Sequence, residues 1–199
     1  YNEFGQIHGL TGRDMTNKKD VKWKHEGRKT RWIYPYFVPE FEGFSLKDSI
    51  DNSSSIILVE SIGDLLSLHQ HGFKNCLVTF GLDISPKLLA RLSGFNNKVI
   101  TIAFNNDYNK SVNRGARAAV KNYLKLLNHF DFNQIKICLP VKNDFGEMNS
   151  NDFSLWKSKC KDDFKKKCKS ILSFAKKMAS EKDLPLSLIK NIKILESNV

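Results

Sequence analysis

No apolar run in this 199-residue chain approaches the roughly 20 residues that a membrane-spanning helix needs, and no signal peptide is visible. A membrane is therefore not an expected partner. Cysteine is scarce. The four present, Cys76, Cys138, Cys160 and Cys168, make no CxxC pair, so no structural zinc is expected within the chain. Cys76 and Cys138 fall in apolar runs and read as buried thiols, the usage of a reducing compartment. No internal repeat or long low-complexity tract interrupts the chain. Acidic residues are outnumbered, 21 against 32 basic ones, for a formal charge of +11. No helix pairs a basic face with an aromatic one, so this charge favours nucleic acid over a membrane surface. A generally lysine-rich composition is the plainer alternative. The opening residue is Tyr1, not methionine, which leads us to expect a piece of a longer protein.

What is present is organised around Ser55-Ile-Ile-Leu-Val-Glu-Ser-Ile-Gly-Asp64. Ile56 to Val59 reads as a short strand buried on both faces. Glu60 ends it, and Asp64 stands in the first turn of a helix that stops at Gly72. In open parallel α/β sheets the carboxyl ends of the strands are where ligands bind. The simpler reading is that both acids cap a helix N-terminus.

Residues 1–50 differ in character. A strand-like stretch, Gln6 to Leu10, leads into Thr11-Gly12-Arg13-Asp14. A basic segment follows, in which Lys18, Lys19, Lys22, Lys24, Arg28, Lys29 and Arg31 are interleaved with Trp23, His25 and Trp32. Basic side chains track phosphates and aromatic faces stack on unpaired bases, so the mixture suits single-stranded nucleic acid. An exposed hairpin with its tryptophans tucked beneath it is the alternative. Trp32-Ile-Tyr-Pro-Tyr36 reads as a strand ended by proline, and residues 39–54 as a polar connector.

From Ile56 the pattern alternates. Strands are predicted at Cys76–Phe80, Val99–Phe104 and Ile135–Leu139, and helices after Ser85 and through Val112–Leu127. This order argues for a parallel sheet with right-handed crossovers. Acids or amides follow three of the four strands: Glu60 and Asp64, then Asn105-Asn106-Asp107, then Asp144 and Glu147. Crowded carboxylates need cations, and oxygen donors without His or Cys suit magnesium or manganese. Beyond Asp152 the chain is helical and lysine-rich, with a break at Leu184-Pro185. Its lysines are most simply solvated faces; contact with a nucleic-acid backbone is the sharper alternative.

At these motifs the chain resembles the TOPRIM domain, the catalytic fold shared by DnaG-type primases, type IA and type II topoisomerases, and some nucleases and repair proteins. Val59-Glu60-Ser-Ile-Gly-Asp64 is similar to the primase version, as is Gly72-Phe73-Lys74-Asn75 leading to Thr79-Phe80-Gly81. Asn105-Asn106-Asp107 occupies the family's Asp-x-Asp position, with Asn105 in place of its first acid. Lys142 to Glu147 looks like the acidic loop after the next strand. Gly5 to Arg13 and the basic stretch to Tyr34 resemble the subdomain that precedes TOPRIM in DnaG-type primases, of the kind found in tailed phages. The resemblance covers about residues 4–150.

The resemblance implies an α/β fold: a small basic α+β subdomain over 1–50, a Rossmann-like TOPRIM domain with a mainly parallel four-stranded sheet over 51–153, and lysine-rich helices over 154–199. It implies the RNA-polymerase core of a DNA primase, a nucleotidyltransferase that makes RNA primers on single-stranded DNA for replication in the cytoplasm, that of the bacterial host if phage-encoded. Glu60 is then the catalytic group. Asp107, Asn105, Asp64, Asp144 and Glu147 are candidate ligands of Mg2+ or Mn2+. Arg13, Lys22, Trp23, Lys24, Arg28 and Trp32 are candidate contacts to template or nucleotide. NTPs, a replicative helicase and an upstream zinc-binding module are implied partners. Two other readings remain: a TOPRIM enzyme that cleaves phosphodiesters, and a non-catalytic single-strand-binding replisome module with a decayed site.

Overall fold

The computed structural model describes residues 1–16, 23–95, 97–161 and 164–198. It begins with an antiparallel hairpin of β1 (Leu10–Arg13) and β2 (Trp23–Glu26), in which Arg13 lies opposite Trp23. The first strand therefore starts at Leu10, where the stretch expected as a strand, Gln6 to Leu10, ends. The strand expected over Trp32–Tyr36 is a single antiparallel bridge from Tyr34 to Val78. The chain turns directly after it, through Tyr36 N–H to the Ile33 carbonyl and Val38 N–H to the Pro35 carbonyl. Proline has no N–H to continue a ladder, which accounts for the difference. The connector at 39–54 contains a helix, α1 (Leu46–Asp51). Ser45 caps it by accepting from the Asp48 N–H at 3.1 Å, and Ile50 anchors it in the core.

Four parallel strands follow: β3 (Ser55–Val59), β4 (Cys76–Val78), β5 (Val99–Ile102) and β6 (Ile135–Ile137), in the order β4-β3-β5-β6. Both faces of the sheet are covered, which is why β3 reads as an unbroken apolar run. The alternation of a strand divides its side chains between them. Ile56 and Leu58 face a core built with α3 (Pro86–Ser93), α4 (Arg114–Leu126), α6 (Phe164–Ser180) and α7 (Leu186–Glu196). Ile57 and Val59 face the other core, with α2 (Ile62–Gln70), α5 (Ser150–Cys160), Phe145 and Trp156. The C-terminal helices thus pack on α4, and Asn191 donates to the Leu124 carbonyl at 2.7 Å. No described helix is long and apolar enough to cross a membrane.

One expectation is overturned. Cys138 is not a thiol: it forms a disulfide with Cys160, their Cα atoms 5.6 Å apart. The partners stand 22 residues apart in sequence, without the CxxC spacing that would have announced them. They meet because α5 turns back under the sheet and places its last residue against the end of β6. Cys76 and Cys168 are the free, buried cysteines among the described residues. The inference of a reducing compartment, drawn from unpaired cysteines, loses that support.

Candidate active site

All four core strands point one way, so their carboxyl ends share an edge. Leu58 lies opposite Ile102, and Ile102 opposite Ile137. Two residues past that register, Glu60 comes level with Phe104, immediately before Asn105. Glu60 is half-buried. Its carboxyl is pushed above the ordinary glutamate range, first by burial and then by the charges of Asp64 and Asp107, while Arg114 and Lys110 pull the other way. Asp64 and Asp107 are therefore both near enough to act on Glu60. Lys110 and Arg114 join them from the loop and helix start that follow Asp107. Sequence reasoning missed both cations, because a charge in a polar loop carries no periodic signal.

Asp64 is 2% exposed. One of its oxygens accepts from the Ser61 hydroxyl at 2.6 Å and the Ser61 N–H at 3.2 Å, which completes a capping box at the start of α2. The other accepts from the Phe145 N–H at 3.3 Å. Burial raises its pKa above the usual aspartate range against the pull of these hydrogen bonds. Asp64 thereby ties α2 to the loop after β6. In that loop Asp144 Oδ1 accepts from the Glu147 N–H at 3.0 Å, starting a short 3-10 turn. The exposed Glu147 carboxylate accepts from Asn143 Nδ2 at 3.1 Å.

Asp107 is paired with Lys110 at 2.5 Å and lies 3.4 Å from the Gly115 N–H. The neighbouring amides stitch two loops together. The Asn106 N–H donates to the Asn143 carbonyl at 2.6 Å, Asn106 Nδ2 to the Pro140 carbonyl at 3.0 Å, and Asn113 Nδ2 to Asn106 Oδ1 at 2.8 Å. Asn105 Oδ1 and Asn143 Oδ1 are buried acceptors with no donor from the protein. Among the described residues no three His, Cys, Asp or Glu side chains group closely enough to hold a metal ion. The acids share an edge and an electrostatic field without forming a closed carboxylate cage.

The hairpin lies against this edge. A Cβ placed on Gly63 would come 4.0 Å from the Trp23 ring, so the indole sits over the start of α2. The Arg13 guanidinium stands 5.7 Å from the Trp23 ring centroid. Lys24 and Arg28 are exposed on the same segment; Lys22, with Lys18 and Lys19, lies outside the described residues. Trp32 is placed otherwise than a base-stacking residue requires. It is 9% exposed, its indole N–H donates to the His8 carbonyl at 3.3 Å, and its ring meets Phe80 edge-on at 4.8 Å. Of the two tryptophans, only Trp23 keeps partial exposure.

Residues 57–149 match the family described as Toprim-like. No curated protein is significantly similar in sequence. Solved structures are similar in fold. The RNA polymerase domain of Mycobacterium tuberculosis primase DnaG superposes over 96% of this chain and 63% of its own, at 12% identity and a TM-score of 0.65. The same domain in complex with double-stranded DNA matches over 95% of this chain and 65% of its own, at 13% identity and a TM-score of 0.54. The Aquifex aeolicus primase, comprising zinc-binding and RNA polymerase domains, matches over 89% of this chain and 42% of its own, at 18% identity and a TM-score of 0.56. The chain spans less than two thirds of the length of each, and at these identities the likeness is one of fold.

Proposed function

From a Toprim-like domain set in the fold of a DnaG-type primase core, we propose that this chain is the RNA-polymerase core of a DNA primase. It would join NTPs into short RNA primers on single-stranded DNA. The observation that carries the reading is Glu60: a half-buried carboxyl, its pKa raised first by burial and then by Asp64 and Asp107, at an edge against which a basic, tryptophan-bearing hairpin is docked. A decayed scaffold has no use for that charge repulsion, and a single-strand-binding module has no use for the acids.

The donor set fits a hard divalent cation of the magnesium or manganese kind. Asn105 Oδ1 is a buried acceptor without a donor, and it neighbours Asp107 on one loop. A mixed set of Asp107, the Asn105 side-chain oxygen Oδ1 and the Asp144 carboxylate supplies hard oxygen donors only. When bound, the ion would neutralise triphosphate charge and make the attacking hydroxyl more acidic. Glu147 is exposed and engaged with Asn143, and Asp64 is engaged in holding the loop.

In the reaction proposed, a primer 3′-hydroxyl attacks the α-phosphorus of an NTP and pyrophosphate leaves. Glu60 takes the hydroxyl proton, a task for which a raised carboxyl pKa is suited. Lys110 and Arg114 face the triphosphate and compensate charge as the bond to pyrophosphate breaks. Arg13, Lys24 and Arg28, with Trp23 as a stacking face, hold the template; Lys22 belongs to the same segment. Residues 1–50 would act as template subdomain, 51–153 as catalytic domain and 154–199 as a helical buttress. The upstream zinc module, the replicative helicase and a place in the cytoplasm belong to this same proposal.

Glu60→Gln beside the wild type tests it, with NTPs, Mg2+ or Mn2+ and a mixed single-stranded template. Loss of nucleotide incorporation with single-stranded DNA binding retained is the expected result. Equal incorporation by both proteins removes Glu60 from the chemistry. Phosphodiester cleavage without NTPs would favour a TOPRIM nuclease instead.

A further inference from the structure

α6 carries six lysines and no acidic residue over its 17 residues. Cys168, Ile171, Ala175 and Met178 are its buried stripe. Some of the lysines have partners: Lys176 pairs with Glu196 at 2.5 Å, Lys167 donates to the Lys159 carbonyl, and Lys165 is also engaged. Lys166 and Lys169 are exposed, and Lys177 reaches Glu181 only at 3.9 Å. With Ser170 and Ser173 these three lysines fall in one stripe roughly 100° wide on the helix surface. Lys169, Ser170, Ser173, Phe174 and Lys177 line an open groove of about 460 Å³.

The stripe has a direction. Tyr123 of α4 touches Cys168 at 4.0 Å, and Arg117 of α4 reaches Glu181 at 2.6 Å and Asp183 at 2.8 Å. α6 therefore runs antiparallel to α4. α4 starts at the acidic edge, where its capping residue Asn113 bonds Asn106. The Lys177 end of the stripe is thus the end near that edge, and Lys166 lies about 16 Å further away at 1.5 Å per residue. Lys166 and Lys169, three residues apart, repel each other, and a polyanion would relieve that repulsion.

We propose that the Lys166–Lys169–Lys177 face of α6 is a track for a nucleic-acid phosphate backbone that leads away from the acidic edge. It is a second contact, on a different element from the N-terminal hairpin. Its length spans four to five phosphates of a duplex strand at ~3.4 Å each, and the serine hydroxyls add donors between the lysines. The proposal does not require the acidic edge to be catalytic.

The test is binding of the full chain to single-stranded and to duplex DNA, without nucleotide or divalent ion, as a function of salt. Replacing all three residues (K166Q, K169Q and K177Q together) should lower the slope of log affinity against log salt by about 2 units on single strands and about 2.7 on duplex, if every lysine meets a phosphate. A drop on only one of the two substrates names the occupant. The matched Lys→Arg triple variant should keep wild-type slopes. Should the Gln triple lose its fold, each single Lys→Gln variant should lower the slope by roughly 0.7–0.9. Unchanged slopes on both DNAs, in a variant that melts like the wild type, overturn the proposal and leave the face to solvent or to an acidic protein. Primer synthesis by Glu60→Gln is read separately and does not bear on this result.

Discussion

Gly115 is where a single methyl group would test the geometry of the acidic edge. A Cβ built there would lie 1.7 Å from the Asn105 carbonyl oxygen and 2.7 Å from its carbonyl carbon. Real Cβ atoms do not approach a heavy atom closer than 3.0 Å, so α4 and the Asn105 backbone would have to part by about 1.3 Å. Two effects oppose each other. Alanine favours a helix over glycine by about 1 kcal/mol. Overpacking costs about 1–3 kcal/mol, and a clash with backbone belongs at the upper end because no side chain can swing aside. The net expectation for Gly115→Ala is a loss of about 2 kcal/mol, or roughly 4–8 °C in melting temperature for a chain of this length. The displacement would also move Asn105 and Asp107 against Glu60, and the Asp107 contact with the Gly115 N–H would lengthen. Urea unfolding gives the first quantity, and nucleotide incorporation by the still-folded variant the second. A variant as stable as wild type would refute the close approach of α4 to the Asn105 backbone.

Two further outcomes are expected. Glu60 is raised above the ordinary carboxylate range in the fold, so its protonated form is favoured there. In the metal-free protein this ties stability to pH as pH drops through that raised value. The free energy of unfolding should rise over the same descent, because the folded state binds more protons than the unfolded one. A pH series of urea melts without divalent ion reads this, and stability that does not rise on that descent refutes the raised carboxyl pKa. The disulfide closes a loop with a sequence separation of 22, worth about 3 kcal/mol in the chain-entropy account; melts with and without dithiothreitol should differ by that order, and identical melts would mean that Cys138 and Cys160 are unlinked.

Much of the sheet was readable because burial on both faces leaves a plain mark. Ile56–Val59 and Cys76–Val78 have no solvent side to carry a polar residue, and Ser85-Pro86 opens α3 as capping chemistry predicts. α1 escaped because its signal is the short pattern Ser45-x-x-Asp48 with a single buried side chain, Ile50, in a polar stretch. Trp32 could not be told from Trp23 by composition. Whether an indole faces solvent or Phe80 depends on a contact 48 residues away in sequence. Lys110 and Arg114 looked like solvated charges, and only the fold sets them beside Glu60. For Asp64 the helix-capping reading describes its hydrogen bonds, while its burial beside Glu60 gives it an electrostatic part at the same edge.

The bond from the Phe145 N–H to Asp64 crosses 81 residues of sequence. As the chain leaves a ribosome, Asp64 can close its helix cap at once, since Ser61 is three residues away. Its second oxygen waits until all of β4, β5 and β6 have emerged. Until then water takes the place of that partner, and burying the carboxylate without the Phe145 N–H would cost about 1–3 kcal/mol. The edge is thus completed last, by the loop at 144–147. A chain truncated before Phe145 would carry Glu60, Asp64 and Asp107 but not the contact that fixes Asp64, so the acids would be synthesised long before they could be held as a set.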